Sequence, residues 1–108
     1  MIYELRTYHC VPGKLPLVLK RMEATTLHMF RKHGIEPVGF WTVVIGESSQ
    51  NLIYLLRWAS MAEREQRWGA FQADPEWLAV RHETESDGPL VQRVSNTLLK
   101  PTAFSPSP

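Results

Sequence analysis

Met1-Ile2-Tyr3-Glu4-Leu5-Arg6-Thr7-Tyr8 opens this chain, Leu98-Leu99-Lys100-Pro101-Thr102-Ala103-Phe104-Ser105-Pro106 closes it, and both read as strand. A domain that begins and ends in pairing strands has few ways to close. Residues 2–10 combine Tyr, Thr, Ile and Leu with alternating polar positions, and Pro12-Gly13 stops the run. From Lys14 the period lengthens: Leu15, Val18, Leu19, Met22, Thr26, Met29, Phe30 and His33 recur at three- and four-residue steps. That spacing predicts an amphipathic helix with Pro16 in its first turn and Gly34 just past its end.

Val38 to Ile45 and Leu52 to Trp58 are two β-rich runs separated by Gly46-Glu47-Ser48-Ser49-Gln50-Asn51, which predicts a hairpin. Ser60-Met61-Ala62-Glu63 has the form of a capping box and opens a second helix through Gln72. Asp74-Pro75 restarts a short helix, with Asp74 as N-cap and Pro75 at the first helical position. Gly88-Pro89 breaks it, and Val91 to Leu99 forms the last strand. The order is β-α-β-β-α-β: an α+β, ferredoxin-like domain with a four-stranded antiparallel sheet in the order 4-1-3-2 and its helices on one face. One domain is expected over residues 1–104, with a flexible Ser/Pro tail over 105–108.

Composition narrows the classes. With 108 residues, 44% hydrophobic and 21% charged, there is room for one core and not for two. A net charge of +1 with interspersed signs provides no footprint for nucleic acid or an anionic membrane. The single Cys10 excludes an internal disulfide and any multi-cysteine metal site. No apolar run approaches the roughly 20 residues of a membrane-spanning helix. A strand beginning at residue 2 leaves no room for a signal peptide, so a cytoplasmic location is expected.

A sheet with helices on one side and water on the other should alternate apolar with polar residues. The middle strands do not. Val38, Phe40 and Val44 oppose Trp41, Val43 and Ile45, while Leu52, Tyr54, Leu56 and Trp58 oppose Ile53, Leu55 and Ala59. Both faces are apolar and the helices can cover only one, which marks an association surface. The expected solution is a homodimer with two sheets packed face to face, burying on the order of 1,600 Å² or more.

Tyr3-Glu4-Leu5-Arg6-Thr7-Tyr8 followed by Pro12-Gly13-Lys14, and the closing Leu98 to Pro106 segment, resemble the two ends of NIPSNAP-family domains. His33-Gly34-Ile35, the strand Asn51 to Trp58, and Phe71-Gln72-Ala73-Asp74-Pro75-Glu76-Trp77 fit the same pattern, so the resemblance spans essentially the whole chain. It implies a short, bacterial-type member with a ferredoxin-like fold of the dimeric α/β-barrel type. Relatives of that fold class include cofactor-independent monooxygenases, haem-handling enzymes and small-molecule lyases, a likeness of fold and not of site.

Glu4, Arg6 and Tyr8 share one face of the first strand. Two readings stand. If that face looks into a cavity, Arg6 holds an anionic or carbonyl group, Tyr8 donates a hydrogen bond and Glu4 orients Arg6. Otherwise Glu4 and Arg6 form a structural ion pair, since a lone buried guanidinium would cost several kcal/mol. Arg57 either snorkels to an edge or joins Arg6 on a carboxylate, and Tyr54 should face away from it. Trp68 and Trp77 on the helices and Trp41 on the sheet are ordinary core candidates that could also floor an aromatic pocket. His82, following Trp77, is the acid/base or haem-ligand candidate, and His33 is expected to cap the last carbonyls of the first helix. The histidines lack metal-ligand spacing, and there is no nucleophile elbow, phosphate loop or dinucleotide fingerprint. No metal or cofactor is expected, with haem left open through His82. Two functions follow: binding of a small, partly apolar organic molecule, extending to cofactor-independent monooxygenase-like or isomerase-like turnover by Arg6, Tyr8 and His82; or a non-catalytic protein-interaction module.

Overall fold

The computed structural model of the protein describes residues 1–106. Its elements are β1 (Ile2–Cys10), α1 (Leu15–Arg21), a π-helical turn (Met22–Thr26), α2 (Leu27–Lys32), β2 (Glu36–Thr42), β3 (Asn51–Trp58), α3 (Met61–Ala73), α4 (Pro75–Thr84) and β4 (Val91–Leu99). The strands form one antiparallel sheet in the order β2-β3-β1-β4, the expected ferredoxin-like topology. β1 therefore lies inside the sheet, between β3 and β4.

The local signals act as their chemistry dictates. Ser60 accepts the Glu63 amide at 3.1 Å, while the Glu63 carboxylate accepts the Ala59 amide. Asp74 accepts the Glu76 amide at 2.8 Å and starts α4. Gly34 takes φ +68° past the end of α2, a conformation that a side chain disfavours. The first helical rod buries Val18, Met22, Thr26 and Phe30, a row stepping by four. Such a row drifts about 40° per step around a 3.6-residue helix, so three steps would carry it a third of the way round. The π turn at Met22–Thr26 accommodates one extra residue and returns the row to the sheet.

Alternation on β3 sorts the two faces. Leu52, Tyr54, Leu56 and Trp58 are buried against the helices with Met29, Phe30 and Phe71, whereas Ile53, Leu55 and Arg57 are half-buried on the opposite, outer face. β1 follows suit, with Glu4, Arg6 and Tyr8 on the inner face through their pairing with Leu56, Tyr54 and Leu52.

Several sequence expectations need correction. β2 stops at Thr42, where it meets Leu52, so Val44 and Ile45 stand in the following loop, each 95% exposed, and add nothing to either sheet face. The closing strand ends at Leu99 because Pro101 cannot continue a ladder, and Lys100 to Ser105 run on without strand pairing. His33 caps no carbonyl with its side chain; its Nε2 lies 2.7 Å from Asp74 Oδ2 and ties the end of α2 to the start of α4. The tail expected to be flexible falls partly on residues 107 and 108, which lie outside the described residues. No helix among the described residues is long and apolar enough to cross a membrane.

Candidate functional site

The helices pack chiefly over β2 and β3, leaving the inner side of β4 poorly covered, with Val94 and Leu98 exposed there. Between that strip and α3 and α4 opens a cleft of about 410 Å³. Arg6 and Tyr8 from β1 form its floor, and Trp68, Gln72 and Trp77 its helical wall. Arg21, Arg81 and Glu85 lie along another side, with Arg93 and Val94 on β4.

Below the floor, Glu4 is fully buried and accepts five hydrogen bonds from four residues. Trp58 Nε1 (3.1 Å) and Arg64 Nε (2.8 Å) donate to one oxygen; Arg64 Nη2 (2.9 Å), Arg6 Nη1 (2.9 Å) and Asn96 Nδ2 (3.0 Å) donate to the other. Burial pushes this carboxyl's pKa up, but the bonds from Arg64, Asn96 and Arg6 outweigh it and hold it at about 2. Burial likewise disfavours the charged Arg6, and the neighbouring Tyr54, Tyr8 and Glu4 more than restore it.

Arg6 links this buried carboxylate to the cleft. Its Nε donates to the Tyr54 hydroxyl at 2.9 Å, and Tyr54 donates to the Tyr8 hydroxyl at 2.9 Å. The guanidinium carbon lies 4.3 Å from the centre of the Trp68 ring, a cation–π contact that holds it against the wall. Burial raises the Tyr54 pKa well above the ordinary phenol value, so Tyr54 stays protonated and can pass a hydrogen bond on to Tyr8. Arg21 bonds Thr84 Oγ1 at 3.1 Å and lies 5.3 Å from the Trp77 ring centre; Arg81 bonds Glu85 at 3.1 Å. Trp77 is buried, and its Nε1 has no hydrogen-bond partner among the described residues.

The structure thus brings Arg6, Tyr8, Trp68 and Trp77 together, with Glu4 directly behind them, and separates the other candidates. His82 is exposed and does not line the cleft, so it is not placed as an acid, a base or an axial ligand for haem there. On α4 the cleft-facing row is Trp77, Arg81 and Glu85 at four-residue steps, and His82 points about 100° away from it. Trp41 is 51% exposed on the outer face, packed over Gly39, where a Cβ would come within 2.8 Å of its ring. Arg57, also on the outer face, pairs across the strands with Glu36 and cannot reach Arg6 through the sheet. Among the described residues no group of three or more His, Cys, Asp or Glu side chains is placed to hold a metal ion.

Sequence reading missed Tyr54, Arg64 and Arg21. Tyr54 becomes the partner of Arg6 through strand register, and Arg64 reaches Glu4 from the first turn of α3, a position that ordinarily faces solvent.

Fold and cleft together define a ferredoxin-like α+β domain with an arginine- and tryptophan-lined recess between sheet and helices. The NIPSNAP family profile matches residues 3–106, and the chain belongs to that family. It is similar to a NIPSNAP family protein with unknown function from Agrobacterium tumefaciens, at 31% identity and a TM-score of 0.85, covering 98% of this chain and 92% of that one. An uncharacterized NIPSNAP domain protein from Burkholderia xenovorans superposes with a TM-score of 0.84 at 24% identity, covering 99% of this chain and 100% of that one. An antibiotic biosynthesis monooxygenase shares the fold alone, with a TM-score of 0.60 at 10% identity over 94% of this chain and 99% of that one. No functionally curated protein matches the chain significantly.

Proposed function

We propose that this NIPSNAP domain is a homodimeric small-molecule-binding protein, with the ligand held in the cleft between sheet and helices of each protomer. The observation that carries the reading is the recess itself, a 410 Å³ cleft floored by Arg6 and Tyr8 and walled by the Trp68 and Trp77 rings. The volume is within the range of small-ligand sites, and the lining sets the Tyr8, Trp68 and Trp77 rings among more charged and polar groups than such sites usually carry. The interaction-module alternative gives no role to this recess or to the buried network beneath it. Turnover by cofactor-free oxygenation or isomerisation has as its support only the fold shared with a monooxygenase, so binding is the function advanced here.

Dimerisation rests on the outer sheet face. Leu5, Trp41 and Leu99 are exposed there at 36%, 51% and 43%, beside the half-buried Ile53 and Leu55. That apolar strip matches the role expected of an association surface.

The test follows the indole N–H signals by NMR while a panel of compact aromatic compounds is added, with light scattering on the same sample. Compounds that bind are expected to shift the Trp68 and Trp77 signals and to leave Trp41 unmoved, with a mass twice the 12.5 kDa of one chain. A panel that moves neither Trp68 nor Trp77 contradicts the cleft, and a 12.5 kDa particle at micromolar concentration contradicts the dimer.

A further inference from the structure

Hydrogen-bond directions around Tyr8 define the chemistry of the ligand more narrowly than the cleft's shape does. Arg6 can only donate, so Tyr54 Oη accepts from it. Tyr54 is fully buried and has one proton, whose partner among the described residues is Tyr8 Oη. Tyr8 therefore accepts from Tyr54, and its own proton is left without an acceptor among the described residues. Tyr8 is half-buried and lines the cleft, so that proton is available to whatever lies in it.

One further group shares this condition. Arg6 uses Nε on Tyr54 and Nη1 on Glu4, which leaves Nη2 with no acceptor among the described residues. Both are donors. Of the acceptors nearby, Glu4 is saturated by its five bonds, and Glu85 is bonded through Oε2 by Arg81, with Arg21 at 3.9 Å. Gln72, also on the wall, can turn to offer either its oxygen or its amide.

A set of unengaged donors calls for a group that only accepts, and an ionised carboxylate is such a group. Resting on the small-molecule reading above, we infer that the ligand is a small aromatic carboxylate, its oxygens taken by the Tyr8 hydroxyl and Arg6 Nη2 and its ring set among Trp68, Trp77 and Val94. The chain Arg6 to Tyr54 to Tyr8 strengthens the final donor, because each hydrogen bond polarises the next. On the cleft lining Arg6, Arg21 and Arg81 outnumber the one carboxylate of Glu85, and Arg64 shares the charge of Glu4 behind Arg6, which favours the anion over its neutral isostere.

The probes are 2-naphthoate and 2-naphthamide, matched in shape and differing in charge and in the amide's own donors. Their affinities are read at pH 7 by tryptophan fluorescence quenching. The wild-type protein is expected to bind the naphthoate at least about tenfold more tightly than the naphthamide. In Tyr8→Phe, checked for folding by circular dichroism, most of that preference should vanish, with naphthoate weakened about tenfold and naphthamide changed less than about threefold. Equal affinities in the wild type overturn the carboxylate assignment while leaving a ligand-binding cleft in place. A naphthoate preference that survives in Tyr8→Phe overturns the role of Tyr8 and points to general attraction by the surrounding arginines. Binding of neither probe to the folded protein, together with an unmoved NMR panel, removes the cleft reading and this inference with it.

Discussion

Glu4 and Tyr8 stand four residues apart on the same face of the same strand, and the fold treats them in opposite ways. Around Glu4 the donors converge until the carboxylate accepts five hydrogen bonds and no solvent reaches it. Around Tyr8 the bonding is incomplete, with a hydroxyl proton and, beside it, Arg6 Nη2 unmatched among the described residues. Arg6 joins the two ends, with Nη1 on Glu4 and Nε on Tyr54, which in turn bonds Tyr8. A buried charge held this completely is scaffold, since further binding there would have to break what already holds. A cluster of donors at an opening is where a ligand can add bonds without removing any.

The largest expected effect falls at the scaffold end. Glu4→Gln removes the anion from between Arg6 and Arg64 and should destabilise the protein by about 3 kcal/mol at pH 7, as breaking a buried ion pair does; urea denaturation checks this. The same group sets an acid limit. Its folded pKa of about 2 lies below the ordinary glutamate value of about 4.3, so its stabilisation is complete above that value and is lost as pH falls toward 2. Between pH 5 and pH 2 the wild type should therefore lose more stability than Glu4→Gln, by up to roughly 3 kcal/mol. Asp74, whose pKa is lowered by hydrogen bonds from Lys32 and then His33, adds acid sensitivity that the variant retains. Denaturation midpoints that fall in parallel for both proteins over this range would break the comparison at its Glu4 end.

At the Tyr8 end the expected effect on folding is the smallest. Tyr8→Phe removes the acceptor of the buried Tyr54 proton and should cost about 1–2 kcal/mol, the lower part of the range for an unmatched donor because the position borders the open cleft.

Much of this layout was legible before the structure. Period-two alternation placed Glu4, Arg6 and Tyr8 on one face, turn residues placed the helices, and the topology made β1 an inner strand. Strand register was not legible, and register is what sets Tyr54 across from Arg6 and Asn96 on its other side. The choice of His82 followed residue type when spacing was the better guide, because Trp77, Arg81 and Glu85 already traced the cleft-facing row of α4. The step of four from Val18 to Phe30 also hinted at the π turn, since an unbroken α-helix cannot keep such a row on one face. Arg64 left no comparable trace: its long side chain reaches Glu4 from the first turn of α3, which packs over the neighbouring β3.

The most direct test of the division between scaffold and site is thermal melting of Tyr8→Phe with and without 2-naphthoate, beside the wild type and Glu4→Gln. The account predicts an unliganded Tm modestly below that of the wild type and above that of Glu4→Gln, with the naphthoate-induced rise of the wild type largely gone. A Tyr8→Phe protein that melts as early as Glu4→Gln, yet keeps the full naphthoate-induced rise, would contradict it.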